Sequence, residues 1–113
     1  MLSHRKEKVS SILKREISEL IRKNLAEKYG LVTLTDIDLT NDFREAKVYI
    51  IVHQIKDEHE VLLLLFNKNI EFQRILGKKL KMKFTPRLNF IIDKNLEKIE
   101  KIDRLLEEIN NGS

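Results

Sequence analysis

At 113 residues, 42% of them hydrophobic and 35% charged, the chain is sized for one domain around one modest core. It has no cysteine, which excludes disulfides and thiolate metal sites, and its three glycines and one proline leave little room for long disordered tracts. The net charge of +4 is spread unevenly: residues 1–30 hold 8 basic and 4 acidic side chains, 31–67 hold 3 and 7, 68–92 hold 7 and 1, and 93–113 hold 4 and 6. The positive excess thus falls in the opening segment and in 68–92, which fits either a polyanion-facing side or a solvated lysine surface.

The opening residues Met1 to Lys6 lead into an amphipathic pattern instead of an apolar signal core, and no stretch is long enough to span a membrane. The expected compartment is the cytoplasm. From Arg5 to Lys28, the residues Val9, Ile12, Leu13, Ile17, Leu20, Ile21 and Leu25 recur at helical spacing. Ser3 is a candidate N-cap, and Gly30 is placed to end the helix in the left-handed conformation. On the opposite side Lys8, Arg15 and Arg22 recur every seven residues, with Ser11 and Ser18 between them. That stripe can meet a phosphate backbone. It can equally be a solvated helix back with Glu19 as ion-pair partner.

Leu31 to Thr40 is rich in β-branched residues and reads as a strand, with Thr33, Thr35, Ile37 and Leu39 on one face and Val32 and Leu34 on the other. Asn41-Asp42 makes a turn, and Ala46 to Val52 forms the second strand of an antiparallel hairpin. A second helix is expected from Glu58 to about Asn67. Its apolar run Val61 to Phe66 suits a buried helix, although periodicity alone leaves a strand open. Asn67-Lys68-Asn69 then breaks the run, as a kink between two helices or as a polar turn of one long helix.

The stretch from Phe72 to Asp93 carries the densest positive charge. Phe72, Ile75, Leu76 and Leu80 form an apolar helix face, while Arg74, Lys78 and Lys81 fall together opposite it, with Gly77 at their edge. Lys79 lies within the apolar arc and is expected to snorkel or to mark the fraying helix end. Lys83 and Arg87 flank Pro86, and Thr85 before that proline prefers an extended backbone. Leu88, Phe90 and Ile92 then alternate as a strand that should complete a three-stranded sheet. Asn95 can cap a last helix with Leu96, Ile99, Ile102, Leu106 and Ile109 on its apolar side.

The residues offer little for other chemistry. His4, His53 and His59 lack ligand spacing, and no calcium loop follows Asp36, Asp38 and Asp42. There is no P-loop, nucleophile elbow or paired acid–base constellation, so neither a catalytic site, nor a metal, nor a cofactor is expected. Phe43, Phe72 and Phe90 are candidates for base stacking, with Phe72 and Phe90 on apolar faces that favour the core.

In order along the chain, several blocks resemble bacterial ribosome-binding factor A, a small-subunit assembly factor family. They are Glu16-Ile17-Ser18-Glu19-Leu20-Ile21, Val32-Thr33-Leu34-Thr35-Asp36-Ile37, Asp42-Phe43-Arg44-Glu45-Ala46-Lys47-Val48-Tyr49-Ile50, Ile75-Leu76-Gly77-Lys78, Thr85-Pro86-Arg87-Leu88-Asn89-Phe90 and Ile102-Asp103-Arg104-Leu105-Leu106. The resemblance implies an α+β, type II KH-like fold, α-β-β-α-α-β with an additional C-terminal helix. One domain over residues 1–110 and a frayed tail over 111–113 are expected.

The resemblance also implies a non-enzymatic, monomeric partner of the small (30S) ribosomal subunit that assists its maturation and 16S rRNA processing. Neither a membrane nor a small-molecule substrate belongs to that reading. The RNA-binding residues then expected are Arg74, Lys78, Lys81, Lys83, Arg87, Lys8, Arg15 and Arg22. The alternative is a KH-like protein-interaction module without direct RNA binding. The KH Gly-x-x-Gly loop is absent, since Gly77 stands alone, so backbone contacts to folded RNA are expected over sequence-selective clamping.

Two departures stand out. Ala26-Glu27-Lys28-Tyr29 replaces the family's Asp-Pro-Arg segment before Gly30, and Lys68-Asn69-Ile70 replaces its Ala-x-Gly kink. Without the second glycine, the expectation is a shallower bend or a kink with Asn69 as left-handed pivot.

Overall fold

The structure, a computed structural model, describes residues 2–95 and 104–109. Helix α1 spans Leu2–Tyr29, strand β1 Val32–Leu39, strand β2 Glu45–Val52, helix α2 Glu58–Asn67, helix α3 Asn69–Leu80 and strand β3 Arg87–Ile92; a 3-10 turn at Ile55–Asp57 leads into α2. This is the expected α-β-β-α-α-β order. Residues 104–109 are helical. Leu96, Ile99 and Ile102, assigned above to the apolar side of that last helix, lie outside the described residues, as does the tail 111–113.

Helix α1 starts at Leu2, so Ser3 lies inside the helix and does not cap it. Its far end is as expected: Gly30 takes φ +67, and its N–H bonds the Ala26 carbonyl at 3.0 Å. The strands form one sheet in the order β1-β2-β3, antiparallel between β1 and β2 and parallel between β2 and β3. Ala46, Val48, Ile50 and Val52 of the central strand are buried in one cluster with Leu13, Ile17 and Leu25 of α1, Val61 and Leu65 of α2, and Phe72 and Leu76 of α3. All three long helices therefore share one core, with Val9 and Leu80 at its margin.

Strand β1 differs from its expected alternation. Leu34 pairs with Ile50 but Asp36 already pairs with Tyr49, so Thr35 is an extra residue, a β-bulge. The bulge resets the phase. Val32, Leu34, Ile37 and Leu39 stand opposite Val52, Ile50, Val48 and Ala46 and turn toward the helices together. The Thr35 hydroxyl instead donates to the carboxylate of Asp93, which is buried just past β3 and whose own N–H bonds the Ile50 carbonyl at 2.8 Å. A hydroxyl and a carboxylate thus span the central strand on one sheet face.

At the α2–α3 junction one of the two expected forms, the left-handed pivot at Asn69, is overturned. Lys68 stays right-handed at φ −89, ψ −1, and Asn69 is not left-handed. The Lys68 N–H is shared between the Leu64 and Leu65 carbonyls at 3.0 and 3.2 Å, while Phe72 N–H bonds the Lys68 carbonyl at 2.9 Å. The interruption is one residue deep and needs no glycine. Asn69 instead fastens α3 to the sheet. Its side-chain amide donates to the Leu88 carbonyl, and its oxygen accepts the Leu88 N–H at 3.3 Å. One turn on, Gln73 donates to the Pro86 carbonyl at 3.1 Å. Because β3 is an edge strand, these two amides cover backbone groups that would otherwise invite another strand.

Along α2 only Val61 and Leu65 are buried, while Leu63 and Phe66 are 54% and 66% exposed. The six-residue apolar run is therefore not enclosed. One stripe faces the core and another faces out.

Candidate nucleic-acid interface

Helix α3 buries Phe72 and Leu76, and this orients everything else on it. Arg74 and Lys78, one turn apart, are exposed, and neither comes within ion-pair distance of a carboxylate among the described residues. Lys78 and Lys79 occupy the last turn, where cations also offset the negative end of the helix dipole.

Lys81 does not continue the Arg74–Lys78 row as the spacing suggests. The helix stops at Leu80, and Lys81 is its C-cap in the left-handed conformation, φ 52. That single residue turns the chain out of the helix into 82–86, where Lys83 is exposed, its ammonium 5.7 Å from the Phe84 ring centroid. Buried Pro86 then leads into β3.

Gly77 has a packing role. A Cβ there would lie 3.3 Å from the Thr85 methyl, so the space beside it is occupied by the loop that returns to β3 and is not open to a phosphate. Lys79, assigned to the apolar arc, reaches across to α1 and donates to Glu16 at 2.9 Å. That hydrogen bond, chiefly, holds the Glu16 carboxyl below the ordinary carboxylate range.

The α1 stripe is exposed at Lys8, Arg15 and Arg22, but two of its three cations have partners. Arg15 lies 3.7 Å from Glu16, and Arg22 donates to Glu19 from both its Nε and a terminal nitrogen. The Arg22 hydrogen bond is the main cause of the lowered Glu19 pKa and of the raised Arg22 pKa. Arg87 stands apart from the other loop cations. It opens β3 opposite Glu45 and lines a separate small cleft with Lys47, Phe66 and Asn89.

Sequence reasoning missed how three segments meet. The N-terminal part of α1, the β1–β2 turn and the α3–β3 loop converge on one open cleft of about 760 Å³, lined by Arg5, Phe43, Arg44, Lys81, Lys83 and Phe84 among others. Arg5 lies over the Phe43 ring at 5.4 Å. The turn itself is tightly tied: the Thr40 hydroxyl donates to Asp42 at 2.8 Å, and the Arg44 N–H bonds the same Asp42 oxygen at 3.1 Å. Those two bonds, the hydroxyl first, lower the Asp42 pKa. Of the three aromatics singled out for stacking, Phe72 is fully buried, Phe90 packs edge-on against it at 6.4 Å, and Phe43 lines this cleft.

A family model described as ribosome-binding factor A matches residues 5–106. The chain belongs to the ribosome-binding factor A family. A ribosome-binding factor A from Desulforamulus reducens is 32% identical over 111 residues, which span 96% of this chain and 92% of the relative. The crystal structure of ribosome-binding factor A from Thermus thermophilus superposes with a TM-score of 0.69 at 24% identity, covering 77% of this chain and 94% of that one. A second Thermus thermophilus structure, a homology model of ribosome-binding factor A fitted into the cryo-EM map of a 30S complex, has a TM-score of 0.65 at 23% identity and covers 74% and 90%. At these identities the Thermus comparisons speak for the fold. Among the described residues, no helix is long and apolar enough to cross a membrane.

Proposed function

We propose that this ribosome-binding factor A protein docks on the small (30S) ribosomal subunit and holds its rRNA through phosphate contacts on the α3 side. In that role it assists subunit maturation and 16S rRNA processing. The observation that carries the reading is the set of exposed cations Arg74, Lys78, Lys81 and Lys83, which have no carboxylate within ion-pair distance among the described residues. The small subunit as target is supported by the 30S complex of the Thermus protein.

Such contacts position a protein on RNA without reading bases, so shape and charge decide the fit. The protein acts by binding energy: it favours one rRNA conformation by the difference in its affinity for the two, and needs neither a catalytic group nor a cofactor. Lys8 supports the face from α1, and Arg15 and Arg22 do so only to the extent that Glu16 and Glu19 release them.

The test is co-sedimentation with immature small subunits across a salt series. Wild-type binding should fall steeply with salt, and the Arg74→Ala/Lys78→Ala double variant should bind weakly with a shallower slope. An unchanged slope in the folded double variant sinks the reading.

A second reading, a protein-interaction module, is favoured by one observation. Leu63, Phe66 and Ile70 are 54%, 66% and 72% exposed at i, i+3 and i+7 across the α2–α3 junction. If Phe66→Gln abolishes subunit binding while the double variant binds normally, this second reading replaces the first.

A further inference from the structure

The geometry points to a pocket for one unpaired RNA nucleotide in the cleft between Arg5, the Phe43 turn and the Lys81–Phe84 exit of α3, its base stacked on Phe84 and its phosphates held by the surrounding cations. This deepens the rRNA-binding reading above by naming a subsite and the form of RNA it takes.

Four observations converge. First, Phe84 is 74% exposed and lines the cleft, so its ring is open to a ligand there. Second, the cleft holds four cations, Arg5, Arg44, Lys81 and Lys83, against one carboxylate, Asp42. Asp42 accepts from Thr40 and from the Arg44 N–H, and its other oxygen lies 3.9 Å from the Arg44 guanidinium, so the cleft cations without a carboxylate partner among the described residues are Arg5, Lys81 and Lys83.

Third, the two non-glycine residues with positive φ among the described residues are Phe43 at 61° and Lys81 at 52°, and both line this one cleft. A left-handed phenylalanine or lysine is unfavourable in isolation, and such strain concentrates where a surface must be held in a set shape. Here it turns the hairpin at Phe43 and directs the α3 exit so that Lys83 and Phe84 follow at once. Fourth, Lys83 already sits within cation–π distance of Phe84, so aromatic face and positive charge are presented together.

The chemistry selects the occupant. A base has a flat π face for Phe84 and carries a phosphate on either side for the cations, which is how single strands are held without sequence preference. A paired base has both faces covered by its neighbours and offers Phe84 nothing. An acidic peptide would use the charges and leave the ring unused.

The test uses the full chain with a short single-stranded RNA carrying one 2-aminopurine, and the same RNA annealed to its complement. Stacking on Phe84 should quench the fluorescent base in the single strand, and the duplex should show no such quenching. Phe84→Ala should weaken single-strand binding by about 10-fold with its salt slope unchanged, because stacking carries no counterions. Phe84→Tyr keeps the ring and should bind like wild type. Lys83→Ala should keep the quenching and lower the slope by about 0.7 units, as expected for one lost phosphate on a single strand.

Phe84 is exposed enough that its loss should leave the thermal unfolding curve in place. Single-strand binding and quenching by Phe84→Ala equal to wild type would overturn the pocket, as would duplex bound as tightly as single strand with no quenching. Neither result touches the small-subunit reading, which stands or falls separately on sedimentation of the Arg74→Ala/Lys78→Ala variant.

Discussion

The basic residues of α1 and those of the α3 exit differ less in number than in company. On α1, Arg15 and Arg22 each stand beside a carboxylate of the same helix, and Arg22 is doubly hydrogen-bonded to Glu19. At α3 and beyond, Arg74, Lys78, Lys81 and Lys83 have no such neighbour among the described residues. An exposed ion pair adds little to stability, but the neighbouring carboxylate cancels much of the cation's field at distances beyond their separation. Phosphate binding must first undo such a pair. Equal formal charge therefore does not mean equal binding capacity, and this contrast is why the proposed phosphate contacts are placed on the α3 side.

The sharpest way to break that contrast is to remove two cations from each side. Arg74→Ala/Lys78→Ala should lower the salt slope of subunit binding by up to about two units, with a corresponding loss of affinity. Arg15→Ala/Arg22→Ala should change it by less than half as much. Neither pair should shift folding by more than about 0.5 kcal/mol beyond the small dipole contribution of Lys78. Equal slopes for the two double variants would mean that pairing with Glu16 and Glu19 is irrelevant to binding.

How much of this contrast the sequence holds depends on distance along the chain. The faces of α1 and α3 follow from local periodicity, and Gly30 marks its own helix end, so the cations were legible as two rows. The hairpin and the third strand were legible from alternation at Ala46–Val52 and Leu88–Ile92. The reset at Thr35 was not, because the residue that Thr35 meets, Asp93, lies 58 residues away. The Lys79–Glu16 bridge joins positions 63 apart, and no spacing rule reaches that far. Phe84 escapes a reading by periodicity because it belongs to no periodic run. Its one local signal was an aromatic placed between Lys83 and Thr85-Pro86, outside any apolar face.

A second prediction concerns what orients the α3 side. Asn69 fastens the start of α3 to both backbone groups of Leu88, and Gln73 continues the latch one turn later. Asn69→Ala leaves a partly buried carbonyl and N–H without partners and should cost about 1–3 kcal/mol. Chemical denaturation reads the loss. If the latch also aligns Arg74 and Lys78, subunit affinity should fall even where the variant is fully folded, which no exposed α1 substitution should reproduce.

Lys81 separates charge from strain at a single residue. Glycine accepts φ 52 without steric cost, so Lys81→Gly should hold or raise stability relative to Lys81→Ala by about 1 kcal/mol. Both variants lose the same ammonium and should lose the same fraction of the salt slope. A thermal melt together with the salt series distinguishes the two effects. Glycine no more stable than alanine would show that the left-handed cap is not maintained against strain.

The smallest expected effect tests pairing directly, on a bridge that joins the two regions. Glu16 accepts from Lys79 at 2.9 Å and lies 3.7 Å from Arg15, so one carboxylate restrains a cation on each side. Glu16→Gln removes that charge and leaves both cations in place. Affinity for immature subunits should rise slightly, and the salt slope should steepen by a fraction of a unit. The pH dependence follows from the sign of the shift. Because the folded Glu16 pKa is depressed, chiefly by the Lys79 hydrogen bond, the bridge is fully formed above the ordinary carboxylate value of about 4.3 and is lost only as pH falls through the lower folded value. Across the neutral range the wild-type bridge should therefore stay intact, and the difference between wild type and Glu16→Gln should be flat with pH. It should shrink only below the ordinary range, where protonation makes the wild type resemble the variant. A Glu16→Gln protein that binds more weakly at neutral pH would mean that Glu16 serves chiefly to hold α1 against α3, and that alignment of the two helices outweighs the release of Lys79.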